Sequence, residues 1–238
     1  MASEPTTPAR LREAIAADLR PVRPLLAASK RAVLVGLLGV GLLVAVPAWY
    51  AMRSDGAALG ASLTWGASLL QVGFGLVLAV VALRLVVPGR GTGSRAAAVL
   101  LAIGVGTTVV VTLLTWWASP TTMSARVWLR FTGLCFQYTV RDGLPVLLLL
   151  LVLAARGALW RPALTGTIAG LAAGLISDAG WRLVCGVSDP GHVLAGHVGG
   201  AVALMILGTI LASLWASLAG TLRPLRDRLP ARRDGAEQ

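Results

Sequence analysis

The stretch AVLVGLLGVGLLVAVPAWYAM, residues 32–52, contains no charged side chain. A helix needs about 20 apolar residues to cross the hydrocarbon core of a bilayer, and this stretch is long enough to do so. Five further stretches are similarly apolar, so the predicted spans are Ala32–Met52, Leu63–Val87, Ala96–Ala118, Phe131–Ala155, Ala163–Val184 and Val198–Ala219. The sequence therefore predicts an all-α, polytopic membrane protein whose six transmembrane helices form one bundle.

The overall composition supports the same class. Of the 238 residues, 56% are hydrophobic and only 13% are charged, and the mean hydropathy is +0.79. A soluble domain usually has about 25% charged residues, so this chain has too few to cover a soluble surface. A soluble enzyme and a disordered protein are both excluded, because the chain is so rich in Leu, Val and Ala.

The basic residues predict the orientation of the bundle. The net charge is +11, and most of the 21 Lys and Arg residues fall in the segments 10–31, 84–95, 156–161 and 223–233. Six spans place all four segments on one side, which the positive-inside rule assigns to the cytoplasm. We therefore expect both termini in the cytoplasm, with a cytoplasmic segment 1–31, a transmembrane domain 32–219 and a basic tail 220–238. This topology accounts for the charge, so direct nucleic-acid binding is not expected.

Charged residues inside the spans predict a contact between two helices. Arg141 follows Cys135 by six residues and Asp178 precedes Cys185 by seven, so both charges lie about 9–10 Å below a cysteine. Since neither charge should face lipid, we expect an intramembrane ion pair between Arg141 and Asp178. The local alternative is a pair between Asp178 and Arg182, four residues later on the same helix.

All four thiol and imidazole groups of the chain are predicted on the outer side. Cys135 begins the fourth span, Cys185 ends the fifth, and His192 and His197 lead into the sixth. Two outward-facing cysteines can form a disulfide. Two thiolates and two imidazoles also match the ligand set of zinc or a thiol-bound heavy metal. Because their spacing matches no standard zinc motif, a disulfide, a redox-responsive or metal site, and incidental packing all remain open.

The N-terminal segment has a narrow apolar stripe. A helix is predicted to begin at Thr7-Pro8 and to run to about Leu19, with Leu11, Ile15 and Leu19 recurring every four residues. Val22 and Leu25 extend the apolar surface beyond Pro21. So short a helix is marginal in isolation, so we expect the stripe to lie on the membrane or in a groove of a partner protein.

Other classes of membrane protein lack support in the sequence. A small polytopic transporter is the main alternative, but no inverted repeat is visible. A membrane oxidoreductase that makes disulfides needs a Cys-x-x-Cys pair or two cysteine pairs, and this chain has two distant cysteines. A serine protease of the membrane needs a nucleophile motif and a histidine inside the spans. We therefore expect no catalytic residues and no enzymatic activity.

The order of these features resembles the NrsF family of integral-membrane anti-sigma factors. The resemblance starts at Asp18-Leu-Arg-Pro21-Val22, continues through six spans with Cys135 at the start of the fourth, and includes the turn Arg161-Pro162. It extends over the Gly-rich fifth span to Cys185 and then to His192 and His197. The glycines of that fifth span are Gly166, Gly170 and Gly174.

The resemblance implies a regulatory function in the bacterial inner membrane. The region Leu11–Leu26 would bind an extracytoplasmic-function sigma factor and keep it away from RNA polymerase. Cys135 and Cys185 would sense heavy metals or oxidative stress. A change at these thiols would alter the packing of spans four and five, and the sigma factor would be released.

Overall fold

The computed structural model describes residues 8–18, 25–87, 89 and 93–228. Within these ranges the regular secondary structure is helical throughout, with no strand. A short helix, α1 (Ala9–Asp18), precedes six helices that are long and apolar enough to cross a membrane. These are α2 (Ala28–Tyr50), α3 (Gly56–Leu85), α4 (Ser94–Ala118), α5 (Ala125–Ala155), α6 (Pro162–Arg182) and α7 (Pro190–Ala219, continuing to Arg228). The predicted all-α architecture of six membrane helices is confirmed.

Helix α6 lies at the centre of the bundle. In its most apolar stretch 83% of the residues are buried, against 22–50% in the other five helices. It is also the least apolar of the six helices. This lower hydropathy is tolerated because the surrounding helices shield α6 from lipid. A central helix can therefore carry the polar residues Ser177, Asp178 and Arg182, which would be costly on a lipid-facing helix.

Glycines bring α6 and α7 into close contact. Gly166 packs against the backbone of Gly208, and Gly170 packs against the backbone of Leu204. A Cβ atom added at Gly174 would lie 2.6 Å from the Cβ atom of Ala201. Small residues at four-residue spacing thus allow the close helix–helix seam between α6 and α7.

The start of α7 departs from regular α-helix at the two histidines. The Asp189 side chain caps the helix by accepting a hydrogen bond from the backbone N–H of His192, with Pro190 in the first turn. Val193–Val198 then form a π-helical turn, in which the N–H of Gly199 donates to the carbonyl of Leu194, five residues earlier. Hydrogen bonding of this kind aligns residues five apart, so His192 and His197 face the same side of α7.

Candidate functional site

The cysteines and histidines of the chain converge at one end of the bundle. One ligand atom from each of Cys135, Cys185, His192 and His197 lies within 4.8 Å of the other three. The two sulfur atoms are 3.8 Å apart, and Cys185 Sγ lies 3.3 Å from His192 Nε2. These four residues, which we call the Cys/His cluster, come from α5, the α6–α7 loop and the first two turns of α7.

Local structure fixes each member of the Cys/His cluster. Cys135 is buried on α5, ten residues after the helix begins. Cys185 follows the end of α6, where its backbone N–H donates to the carbonyl of Trp181 at 2.8 Å. The two histidine rings are 0% and 1% exposed and meet edge to face, with centroids 5.5 Å apart. The cluster is therefore largely closed to bulk solvent.

Both histidines have one ring nitrogen held by a neighbour. His192 Nδ1 lies 3.1 Å from the Thr132 hydroxyl, and His197 Nδ1 lies 2.6 Å from a carboxylate oxygen of Asp178. His197 Nε2 is buried and makes no hydrogen bond of good geometry among the described residues, although Cys185 lies close enough to interact with it. His192 Nε2 contacts Cys185 Sγ, so neither Nε2 atom is held by a described residue outside the cluster. Nε2 is an atom that metal-binding histidines commonly offer.

The environment of Cys185 favours a thiolate. The thiol of Cys135 donates to Cys185 Sγ and, with a smaller contribution from His192, holds the pKa of Cys185 well below its usual range despite burial. A cavity of about 10 Å³ beside Cys185 and His197 is also lined by Arg53 and Arg182. The thiolate is the form of cysteine that binds metals or reacts with oxidants.

The separation of the two sulfur atoms fits a tetrahedral ion. With zinc–sulfur bonds of about 2.3 Å, a tetrahedral site places two sulfurs about 3.8 Å apart, which matches the observed separation. Two thiolates, two imidazoles and hydrogen bonds that orient both rings are what a closed zinc or similar site requires. The four residues are therefore close enough together that they could hold a metal ion, and their free thiols are also close enough to be joined by oxidation after a small movement.

The structure does not bring Arg141 and Asp178 together. Arg141 points outward, with 53% of its side chain exposed, and pairs with Asp142 at 2.7 Å. Asp178 pairs instead with Arg182, the local alternative, at 2.9 Å. The expected pair fails because equal depth along two helices does not fix the direction in which a side chain points, and Arg141 lies on the outer face of α5.

Asp178 is instead the centre of a buried polar network. Its carboxylate accepts hydrogen bonds from Gln71 on α3 at 2.7 Å and from Arg182 at 2.9 Å, besides its contact with His197. Arg182 also donates to the Thr112 hydroxyl on α4. The sequence analysis missed Gln71, Thr112 and Thr132; the amide of Gln71, within an otherwise apolar span, was the signal that could have found it.

At the other end of the bundle, the start of α2 is tied to two other helices by one side chain. Arg31 is buried, and its guanidinium donates to the carbonyls of Leu26, Leu83 and Leu153 at 2.9–3.1 Å. Leu83 and Leu153 lie in the last turns of α3 and α5, where carbonyls lack partners within the helix and favour a cation. Arg31 thus links the root of the N-terminal segment to the ends of α3 and α5.

The residues predicted to bind a partner lie mainly outside this packed region. Leu11 and Ile15 fall within α1, and Leu19 and Val22 lie outside the described residues. Leu25 is 42% exposed. Of the α1 side chains that the structure describes, those of Arg10, Glu13, Ala16 and Ala17 are also exposed.

Together these features define a helical membrane protein with a largely buried cluster of two cysteines and two histidines at one end and an exposed helical segment before the first span. The family model described as "Negative regulator of sigma F", or NrsF, matches residues 15–216. The chain belongs to this family, as the resemblance indicates. No curated protein and no solved structure matches the chain.

Proposed function

We propose that the protein is a membrane-embedded anti-sigma factor that holds an extracytoplasmic-function sigma factor through its N-terminal segment and releases it on a signal at the Cys/His cluster. Membership of the family of negative regulators of sigma F supports the anti-sigma role. The observation that carries the sensing role is the convergence of two sulfur and two imidazole ligand atoms within 4.8 Å. On this proposal the role is regulatory and not enzymatic.

The chemistry of the cluster selects the signal. Thiolate and imidazole ligands bind soft and borderline ions, so zinc or a heavy metal such as cadmium fits better than magnesium or calcium. Cys135, Cys185, His192 and His197 would hold the ion, which when bound would supply a cross-link between α5, the α6–α7 loop and α7. An oxidant such as a peroxide would act on the same thiols, joining the two sulfurs while it takes up two electrons and two protons.

Helix α5 connects the cluster with the N-terminal end of the bundle. Cys135 and Leu153 are both on α5, 18 residues apart, which is about 27 Å along the helix axis. The carbonyl of Leu153 accepts a hydrogen bond from Arg31, four residues into α2. A shift of α5 caused by a change at Cys135 would therefore move an anchor of the segment that precedes α2.

The N-terminal segment 1–31 is the proposed docking element. Its stripe of Leu11, Ile15, Leu19, Val22 and Leu25 would enter a groove on the sigma factor, as amphipathic helices do in many complexes. The distribution of basic residues supports a topology with this segment and the basic tail 220–238 in the cytoplasm, on either side of a transmembrane domain 32–219 in the bacterial inner membrane.

A pair of matched variants tests the docking element. Ile15→Asp places a carboxylate on the predicted stripe, whereas Ala17→Asp places the same group at an exposed position of the same helix. We expect Ile15→Asp to weaken binding of a sigma factor that the unaltered chain binds by about tenfold or more, because an unpaired charge would be buried in the complex. Ala17→Asp should change the affinity by about twofold at most.

The measurement is the Kd between the purified sigma factor and the full chain in detergent. Equal affinities for the two variants would contradict docking through this stripe. Retention of full affinity after deletion of residues 1–28 would overturn the proposed role of the segment altogether.

A further inference from the structure

We propose that Asp178 is a positioning residue that makes His197 a metal ligand and joins the Cys/His cluster to α3 and α4. This inference rests on the proposed function, because it assigns a role within the metal site. It concerns a residue outside the ligand set, on the central helix α6.

The hydrogen bond between Asp178 and His197 selects the tautomer of the imidazole. An ionised carboxylate can only accept hydrogen bonds, and Asp178 already accepts from Arg182 and Gln71 on its other oxygen. His197 Nδ1, at 2.6 Å, must therefore carry the proton that it donates to Asp178. In the neutral imidazole, this leaves the lone pair on Nε2, which is the form that binds a metal.

The unpartnered Nε2 atom points to a ligand. It is buried, on a residue that is 1% exposed, and it makes no hydrogen bond of good geometry among the described residues, although Cys185 lies close enough to interact with it. Buried polar nitrogens are nearly always paired, so one without a partner needs an explanation. A metal shared with Cys135, Cys185 and His192 supplies that explanation, since these residues provide the neighbouring ligand atoms.

Ion pairing alone does not explain Asp178. A carboxylate that is 2% exposed is costly inside a membrane protein, and Arg182 is sufficient to neutralise it. Asp178 nevertheless contacts α3 through Gln71, and Arg182 extends the network to Thr112 on α4. Neither α3 nor α4 supplies a ligand, so Asp178 provides a hydrogen-bonded route by which occupancy of the cluster would be felt by these two helices.

Cobalt binding by the full chain tests this role. Co²⁺ is the probe, because thiolate ligands give it a charge-transfer band and tetrahedral geometry gives it strong visible bands. We expect Asp178→Asn to weaken Co²⁺ binding by about 10–100-fold while the thiolate band persists at saturation. Asp178→Glu, which restores a carboxylate, should recover part of the loss.

The matched control is Asp142→Asn. Asp142 is a partly buried membrane carboxylate that accepts from Arg141 and Trp181 but does not contact the cluster. The Co²⁺ affinity of the Asp142→Asn variant should stay within about twofold of the wild-type affinity. Equal losses in the Asp142 and Asp178 variants, or none in Asp178→Asn, would overturn the positioning role. Failure of the wild-type chain to bind Co²⁺ would overturn the metal site of the proposed function as well.

A measurement on the unaltered Asp178 residue covers the case in which its variants do not fold. The chain has two histidines, so His192→Gln leaves His197 as the single imidazole, provided that purification uses a tag without histidine. Nitrogen NMR of this metal-free variant should show Nδ1 protonated and Nε2 unprotonated. The opposite tautomer would overturn the proposal.

Discussion

The two ends of the bundle differ in how completely their functional residues are packed. At the cysteine end, the histidines are 0% and 1% exposed, and both rings are held by neighbours on other helices. At the N-terminal end, Leu25 is 42% and Leu26 is 65% exposed, and one buried side chain, Arg31, anchors the start of α2. The cysteine end is therefore ordered by contacts within the chain, whereas the N-terminal end leaves apolar surface exposed for a partner protein.

This difference fits a division between input and output. A site that responds selectively to a metal ion needs ligands held in place before the ion arrives. A surface that must release a protein partner benefits instead from having few fixed contacts with the rest of its own chain. Such a surface is stable both with and without that partner. Three variants would break or sharpen the contrast.

The largest effect is expected from removing both sulfur ligands. Cys135→Ser with Cys185→Ser should weaken Cd²⁺ or Zn²⁺ binding by about 10⁴-fold, because four ligands share a binding free energy of about 10–16 kcal/mol. Affinity for the sigma factor should be unchanged, which would confirm that the two ends are separable. Isothermal titration of both ligands measures this, with Gln137→Ser, an exposed position near Cys135 on α5, as the control. A loss of sigma binding in the double variant would contradict the division.

An intermediate effect is expected from the anchor of α2. Arg31→Ala removes three hydrogen bonds from a buried guanidinium and should lower the free energy of unfolding by about 2–4 kcal/mol. It should also reduce metal-induced release of the sigma factor while the Kd for the metal stays the same. Thermal unfolding in detergent and a release assay test these points. The control is Arg84→Ala, because Arg84 is an exposed arginine at the same end of the bundle. This variant should leave the free energy of unfolding and the metal-induced release of the sigma factor unchanged.

The smallest effect is expected at the seam between the two ends. Gly174→Ala puts a methyl group 2.6 Å from the Cβ atom of Ala201, so α6 and α7 must separate, at a cost of about 1–3 kcal/mol. Gly73→Ala is the control, because a Cβ atom there meets nothing within 4 Å and alanine favours a helix. Thermal unfolding should rank Gly73→Ala above Gly174→Ala, and the reverse order would show that the seam is not tightly packed.

Much of the fold could be predicted because bilayer thickness fixes the length of an apolar helix. Uncharged stretches such as residues 32–52 are therefore visible in the sequence without any knowledge of packing. Glycines four residues apart are likewise visible in the sequence, and their missing side chains allow the close approach of α6 and α7. Apolar length and glycine spacing can each be read from the sequence of a single helix, without knowing how the helices pack.

Features of the site that depend on rotation around a helix axis could not be predicted in the same way. Topology placed Cys135, Cys185, His192 and His197 on one side, but the π-helical turn that aligns the histidines has no clear sequence signal. Depth along the helices alone suggested a pair between Arg141 and Asp178. Because of the directions in which the side chains point, Asp178 instead contacts Arg182 and His197. Partners such as Gln71 and Thr112 appear only when the helices are assembled.

The most direct test of the account combines both ends in one experiment. The full chain in nanodiscs, loaded with its sigma factor, is titrated with Cd²⁺ while the retained sigma factor and the thiol reactivity of Cys135 and Cys185 are measured together. The account predicts that the sigma factor is released over the same Cd²⁺ range in which the thiols become protected. Full protection of both thiols with the sigma factor still bound would contradict it.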